Sequence, residues 1–313
     1  MRKVLVTGGA GYIGSHACLA LQSAGFEPVI IDDLSRGHKE LVGNFKLYQF
    51  NLLDKDSLWR VFEDNEFIAV MHFAAFAYVG ESVEEPYKYF SNNSISTLNL
   101  LEAMKYFKVQ KLVFSSTCAV YGTPKSVPVT ESEAEKHESP YGMSKYLNEL
   151  MIQSYFEIGH IKPVVFRYFN VVGNDVNNRA YEKHEPETHL LPLCIDSCLD
   201  GCFSLSVFGD DYPTHDGSCM RDYVDVRDLV DAHILALNYN CDSLLFKDKV
   251  FNLGVGKGYT VFDVINSVEK VTNMKCRYSI TKRRLGDATA LYAESSKANK
   301  LLGWSPKYSL LDS

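Results

Sequence analysis

The stretch Thr7-Gly8-Gly9-Ala10-Gly11-Tyr12-Ile13-Gly14 constrains this chain more than any other. It follows a short apolar run at 4–6 and opens a segment with helical spacing. A glycine-rich turn between strand and helix brings backbone N–H groups and the helix dipole up to a pyrophosphate. Gly8 suits the tight turn, Gly11 the close approach of phosphate, and Gly14 the packing of helix on sheet. Such a unit carries an acid at the end of its second strand, and Asp32 stands there, 18 residues past Gly14. A carboxylate at that point accepts the ribose 2′-OH and repels a 2′-phosphate, so NAD is favoured over NADP. Arg36 lies nearby, and a cofactor contact and a solvated surface position are equal readings for it.

The rest of the first half repeats this unit. Short apolar runs at 4–7, 28–32, 46–49, 69–73, 111–115 and 163–167 alternate with helix-like segments at 12–24, 55–64, 84–106 and 139–157. Near-continuous apolar strands separated by helices predict a parallel sheet covered on both faces, and right-handed crossovers make it doubly wound. The expected fold is therefore α/β, a Rossmann-type parallel sheet followed by a smaller C-terminal α/β substrate domain. Residues 1–171 form the expected NAD-binding domain, with a returning segment near 226–255; residues 172–313 form the second. In that second part, 174–189 reads as a long polar loop, 190–199 and 226–237 as helices, 211–213 as a turn and 250–253 as a strand.

A net charge of −7 leaves no basic stripe for a nucleic acid, and Lys282-Arg283-Arg284 is the only basic cluster. It is long enough for one diphosphate and too short for a polyanion. No apolar run approaches the ~20 residues needed to cross a bilayer, and the run behind Met1-Arg2-Lys3 is too short for a secretory signal. Eight cysteines at irregular spacing do not make a disulfide framework. Cys194, Cys198 and Cys202 share one helix face, which reads as a packed stripe of small residues. No metal site is expected, and the expected location is a reducing cytoplasm.

Tyr141 and Lys145, in Ser139-Pro140-Tyr141-Gly142-Met143-Ser144-Lys145, lie one helical turn apart and face one way. A phenol titrates near ~10 and serves as a base at neutral pH only where a cation favours its phenolate. Lys145, with the positive charge of a nicotinamide nearby, is that cation in this reading. Residues 114–117, Phe-Ser-Ser-Thr, end the fifth strand at the carboxyl edge, where open α/β sheets bind ligands. Thr117, 24 residues before Tyr141, is the hydroxyl best placed to relay a proton.

With these motifs in this order, the chain resembles the UDP-glucose/UDP-galactose 4-epimerase family of the extended short-chain dehydrogenases/reductases. The likeness runs over nearly the whole chain: VTGGAGYIGSH at 6–16, HFAA at 72–75, VGES at 79–82, STCAVYG at 116–122 and RYFN at 167–170. FGDDYP at 208–213, DG at 216–217, RDY at 221–223 and RRLGD at 283–287 continue it. The resemblance implies that Tyr141 removes the sugar 4-OH proton while hydride passes from C4 to NAD⁺. The 4-keto sugar then rotates on its diphosphate, and hydride returns to its other face. It places Tyr12, Ile13, Asn51, Leu52, Phe73, Ala74, Ala75, Asn92, Ser115 and Tyr168 around the cofactor with the glycines and Asp32. It places Asn170, His189, Leu190, Phe208, Arg221, Arg284, Asp287 and Leu291 around a UDP-sugar, with Thr117 and Tyr141 at the reacting sugar. A homodimer through the helices near 84–106 and 139–157 is implied too.

The chain departs from the family's pattern at instructive points. Thr117 replaces a frequent Ser and keeps the hydroxyl. Asn51 replaces an Asp that contacts adenine, its side-chain oxygen still able to accept. Ala77 replaces a Lys on the NAD pyrophosphate, Ala288 a Pro, and His189 an Asn on phosphate. Leu291 replaces a bulky Tyr that gates the sugar pocket, which opens room for an N-acetyl group. Residues 75–79 also resemble UDP-pentose 4-epimerases, and the chain ends at Ser313, before the family's usual C-terminal helix. A dehydratase of the same fold needs an acid after the strand-five hydroxyl, and Cys118 and Ala119 stand there instead. A non-catalytic NAD-binding relative is expected to lack Tyr141 or Lys145, and an NADP-dependent reductase conflicts with Asp32.

Overall fold

The computed structural model describes residues 2–200, 203–240, 243, 245–284 and 287–313; Met1, Cys202 and Gly286 lie outside them. The chain runs β1 (Arg2–Thr7), α1 (Tyr12–Ser23), β2 (Phe26–Ile31), β3 (Lys46–Tyr48), α2 (Lys55–Glu63), β4 (Phe67–His72), α3 (Val79–Glu84) and α4 (Pro86–Tyr89). A π-helical segment, Phe90–Ile95, leads into α5 (Ser96–Tyr106), β5 (Lys111–Thr117), α6 (Pro140–Glu157) and β6 (Lys162–Tyr168). Then come β7 (Asn170–Val172), α7 (Leu190–Leu199), β8 (Leu205–Phe208), β9 (Met220–Arg221), β10 (Tyr223–Asp225), α8 (Val226–Asn238) and β11 (Val250–Leu253). The chain closes with β12 (Tyr259–Thr260), α9 (Val261–Thr272), β13 (Tyr278–Thr281), β14 (Ala290–Leu291) and α10 (Ser296–Leu302).

Seven strands form the central sheet in the order β11-β6-β5-β4-β1-β2-β3, every neighbouring pair parallel. The fold is a doubly wound Rossmann-type sheet. Val4, Leu5 and Val6 are fully buried. Val4 and Val6 face α1 and α8, while Leu5 faces the α2–α5 side. Burial of each such side chain stabilises by about 1.5–3 kcal/mol, which is why these strands carry no polar alternation. The order reverses between β1 and β4, so Thr7, His72, Thr117 and Tyr168 end at one rim beside the switch point.

The remaining strands form three small sheets: β10 with β7, β13 with β8, and β9 between β12 and β14. They sit over a separate apolar cluster that includes Cys194, Cys198, Val264 and Cys276. Cys194 and Cys198 therefore pack as small apolar side chains. The helix expected at 84–106 is interrupted: Pro86 restarts it, and the π segment shifts its register by one residue. That register shift buries Asn93. Its amide holds both the N–H and the carbonyl of Phe76 and donates to Ser144 Oγ, at 2.9, 3.0 and 3.0 Å. Asn93 thereby ties the loop after β4 to α6. Among the described residues, no helix is long and apolar enough to cross a membrane.

Candidate active site

The glycine turn is shaped by steric necessity at two points. Gly8 has φ +74°, and a Cβ there would lie 2.6 Å from the Ala74 nitrogen. A Cβ on Gly14 would lie 2.1 Å from the Gly8 carbonyl oxygen. Gly11 caps α1 without any side chain, and the first turn holds no acid, so its N–H groups and positive dipole are left for an anion. Gly14→Ala will therefore displace the turn and weaken NAD binding at least about tenfold, as read by titration with cofactor; unchanged affinity would refute this role.

Asp32 accepts from the N–H of Ala10 (3.0 Å) and of Leu34 (2.9 Å). Burial raises its carboxyl above the ordinary range, and these two hydrogen bonds oppose the rise. Arg36 resolves against a 2′-phosphate role. Its guanidinium bonds Glu81 (2.8 Å) and the Glu185 carbonyl (2.7 Å) and stacks over Tyr78. Asn51 donates through Nδ2 to Asp33 (2.6 Å), while its Oδ1 accepts from Leu53 N–H (2.9 Å) and keeps a second lone pair. The oxygen expected to meet adenine thus already has a backbone partner.

Ser139 starts α6 by accepting from Gly142 N–H (3.1 Å), with Pro140 in the first turn. A Cβ on Gly142 would lie 2.6 Å from the Ala119 carbonyl oxygen, so the helix start presses against the chain just past β5. This contact brings Tyr141 toward Thr117, whose hydroxyl favours the ionised phenol. Lys145 donates to the Ser115 carbonyl (2.7 Å) and is 3% exposed. Burial pulls its ammonium down to about 7, partly offset by Glu149. Burial likewise pushes the Tyr141 phenol up to about 12. In the chain without cofactor, desolvation outweighs the lowering influence of the Thr117 hydroxyl, and the nicotinamide charge that the sequence reading invokes beside Lys145 is not part of that balance.

Behind β5 lies a pair that sequence reasoning missed. Arg167 bonds Glu149 through Nε (3.1 Å) and Nη2 (2.6 Å), and Ser116 donates to the same carboxylate. Both charged side chains are at least 96% buried. The one sequence signal was a charge in an otherwise apolar strand. Asp222 was also missed as an organiser. Its carboxylate receives the N–H groups of Val255, Gly256 and Ala293 at 2.8, 3.0 and 3.0 Å, clamping the strands beneath Arg221.

Arg221 bonds the carbonyls of Met220 and Ala288, both at 2.8 Å, and lies 3.3 Å from Asp287. Arg284 reaches the other Asp287 oxygen at 3.2 Å and stacks over Phe208. One carboxylate therefore holds two guanidiniums in a fixed fork. A cavity of about 1010 Å³ joins the glycine turn, Asp32, Tyr141 and this pair of arginines. Every residue expected at the cofactor lines it: Gly8, Gly11, Tyr12, Ile13, Gly14, Asp32, Asn51, Leu52, Phe73, Ala74, Ala75, Asn92, Ser115, Tyr141, Lys145 and Tyr168. So do Thr117, Asn170, His189, Arg221, Arg284, Asp287 and Leu291. Two expected residues do not. Leu190 packs into the apolar cluster under α7, and Phe208 reaches the cavity only through Arg284.

The cavity, with a dinucleotide cradle at one end and an arginine pair at the other, agrees with what comparison finds. Residues 4–254 match the model of the NAD dependent epimerase/dehydratase family. The chain is 43% identical over 308 residues to UDP-glucose 4-epimerase of Rhizobium meliloti (strain 1021), covering 98% of this chain and 93% of that one. The UDP-glucose 4-epimerase of Brucella ovis in complex with NAD superposes with a TM-score of 0.93 at 40% identity, covering 100% and 95% of the two chains. That of Stenotrophomonas maltophila, with bound NAD and formylated UDP-arabinopyranose, gives 0.94 at 36% identity, again covering 100% and 95%. The chain belongs to the NAD dependent epimerase/dehydratase family.

Proposed function

We propose that this chain is a UDP-sugar 4-epimerase that uses NAD, with UDP-galactose/UDP-glucose as its principal pair. One observation carries the reading. Thr117 and Tyr141 lie in the same cavity as the glycine cradle and as the Arg221–Asp287–Arg284 fork. Residues before about 171 then hold NAD, and those after hold UDP. The residues fit the cofactor: a cradle closed to any side chain at Gly8 and Gly14, an uncapped helix start, and a carboxylate for the ribose. NAD⁺, when bound, accepts hydride from the sugar C4 and returns it.

The chain's own groups do the rest. Tyr141 takes the 4-OH proton and gives it back, with the Thr117 hydroxyl bridging phenol and sugar. Burial pushes its phenol up to about 12, and positive charge brought by the bound cofactor would favour the phenolate. Lys145, titrating near neutrality, responds to that change. Arg221 and Arg284 grip the diphosphate through planar forks while the sugar turns. Leu291 lines the cavity at the position where a bulky Tyr is expected, so the reading extends to UDP-GalNAc/UDP-GlcNAc. Leu291→Tyr will reduce turnover of the N-acetylated pair selectively, by about tenfold; equal losses on both pairs would remove Leu291 as a gate. A UDP-pentose pair is the second reading, supported by the likeness of residues 75–79 to UDP-pentose 4-epimerases.

The test is conversion of UDP-galactose, with product coupled to UDP-glucose dehydrogenase. Absence of conversion for UDP-galactose, UDP-GalNAc and UDP-arabinose alike would refute the proposal. A homodimer through α3–α6 is supported by the exposed apolar side chains Val83, Tyr87, Ile95, Leu98 and Leu150. Light scattering that returns a single-chain mass would refute it. A reducing cytoplasm is supported by the free thiols of Cys18, Cys118, Cys194, Cys198, Cys219 and Cys276.

A further inference from the structure

The loop between β7 and α7 brings Glu182, His184, Glu187 and His189 together at the edge of the large cavity. One ligating atom from each lies within 4.8 Å of all the others. His184 Nδ1 is 3.3 Å from Glu182 Oε1 and 3.6 Å from Glu187 Oε2; His189 Nδ1 is 3.1 Å from Glu182 Oε1 and 2.9 Å from Glu187 Oε1. Ligands at about 2.0–2.2 Å from a tetrahedral ion are themselves about 3.3–3.6 Å apart, a spacing the 2.9–3.6 Å separations of this set reach with small side-chain adjustments. Hydrogen bonding accounts for only part of the convergence: His189 Nδ1 and Glu187 Oε1 are hydrogen-bonded at 2.9 Å. Glu182 Oε1 and His184 Nδ1 are both buried without a hydrogen-bond partner, and the Glu182 side chain is only 8% exposed. Glu187 Oε1 is engaged by the N–H groups of Thr188 (2.7 Å) and His189 (2.8 Å), which leaves its Oε2 turned to the cluster.

We propose that Glu182, His184, Glu187 and His189 bind one divalent transition-metal ion of the zinc class. Two imidazoles and two carboxylates suit Zn²⁺, and four protein ligands make a closed, structural site rather than a catalytic one. Charge supports the assignment. Two carboxylates beside a cleft built for diphosphates repel them, whereas the same carboxylates on a 2+ ion are neutralised. The ion also has a mechanical role. The loop is tied to the β2–β3 region by Arg36 to the Glu185 carbonyl, His38 to the Lys183 carbonyl, and Lys183 to Glu40. Cross-linking 182 to 189 holds this cover, and with it His189, over the cofactor cleft. The set was not legible in the sequence, because the four side chains alternate within eight residues of a loop and match no helical or finger spacing.

The experiment uses the full chain loaded with NAD, purified without a histidine tag or chelator. Elemental analysis will find one zinc per chain, and adding ZnCl₂ to chelator-stripped, NAD-loaded protein will raise Tm. His184→Ala and Glu182→Gln will each weaken zinc binding by at least about tenfold. Cobalt in place of zinc will show visible bands of a tetrahedral nitrogen–oxygen site without thiolate charge transfer. Should His184→Ala fail to fold, the near-isosteric Glu182→Gln decides. The proposal is overturned by no zinc-dependent change at about a hundredfold excess of metal. It is equally overturned by unchanged affinity in the variants, or by a thiolate band that moves the metal to Cys194, Cys198 and Cys276. None of these readouts depends on epimerase turnover, so they stand apart from the proposed activity.

Discussion

Tyr141→Phe will lower kcat by about 10²–10⁴-fold while the affinities for NAD and UDP stay within a few-fold of the parent. The substitution removes one oxygen and leaves the ring against Tyr89, 6.3 Å between centroids, so packing is kept. On the proposed mechanism, what is lost is the group that takes and returns the 4-OH proton, since Thr117 alone is too weak an acid or base near neutrality. Because the effect falls on the chemical step, kcat and kcat/KM should drop together. Steady-state rates with calorimetric binding of UDP provide the check. A variant with more than a tenth of parental kcat would show that another group carries the proton.

The largest expected effect on stability lies behind the site. Arg167→Met strips Glu149 of its bidentate partner and leaves a carboxylate in the core with Ser116 alone. Breaking a buried pair on one side costs about 3–5 kcal/mol. For a chain of this size that lowers Tm by on the order of 10 °C. Glu149→Gln combined with Arg167→Met removes the stranded charge and should recover more than half of the loss. Both readings come from thermal melts with NAD at saturation. Non-recovery in the double variant would mean that the guanidinium acts by packing over Tyr121, 4.8 Å away, rather than by charge. The pair also bears on catalysis, because Ser116 sits between Ser115, which holds Lys145, and Thr117.

The parallel sheet was readable because burial on both faces writes itself into unbroken apolar runs, and α7 and β11 fall on the expected 190–199 and 250–253. The four strands β7–β10 were not readable. They are two to four residues long, and which residues pair there is decided by tertiary contacts that leave no period. The break in the 84–106 helix was hidden for another reason: Asn92 and Asn93 look like ordinary polar positions until the π segment turns Asn93 inward. At the site, local motifs marked Gly8, Asp32, Tyr141 and Lys145, because their geometry is set within one strand–turn–helix unit. Pairings across long separations stayed invisible, as with Arg36 to Glu81 and Arg167 to Glu149. His189 was found as a single residue, and its three companions emerged only once the loop had folded on itself.

The claim at the centre of this account is reversible oxidation at C4 within one cavity, and deuterium at that carbon tests it most directly. UDP-galactose deuterated at C4, incubated with the NAD-loaded protein, should yield UDP-glucose that retains the label at C4, with no net reduction of NAD. Label lost to solvent, or no UDP-glucose formed, would contradict it.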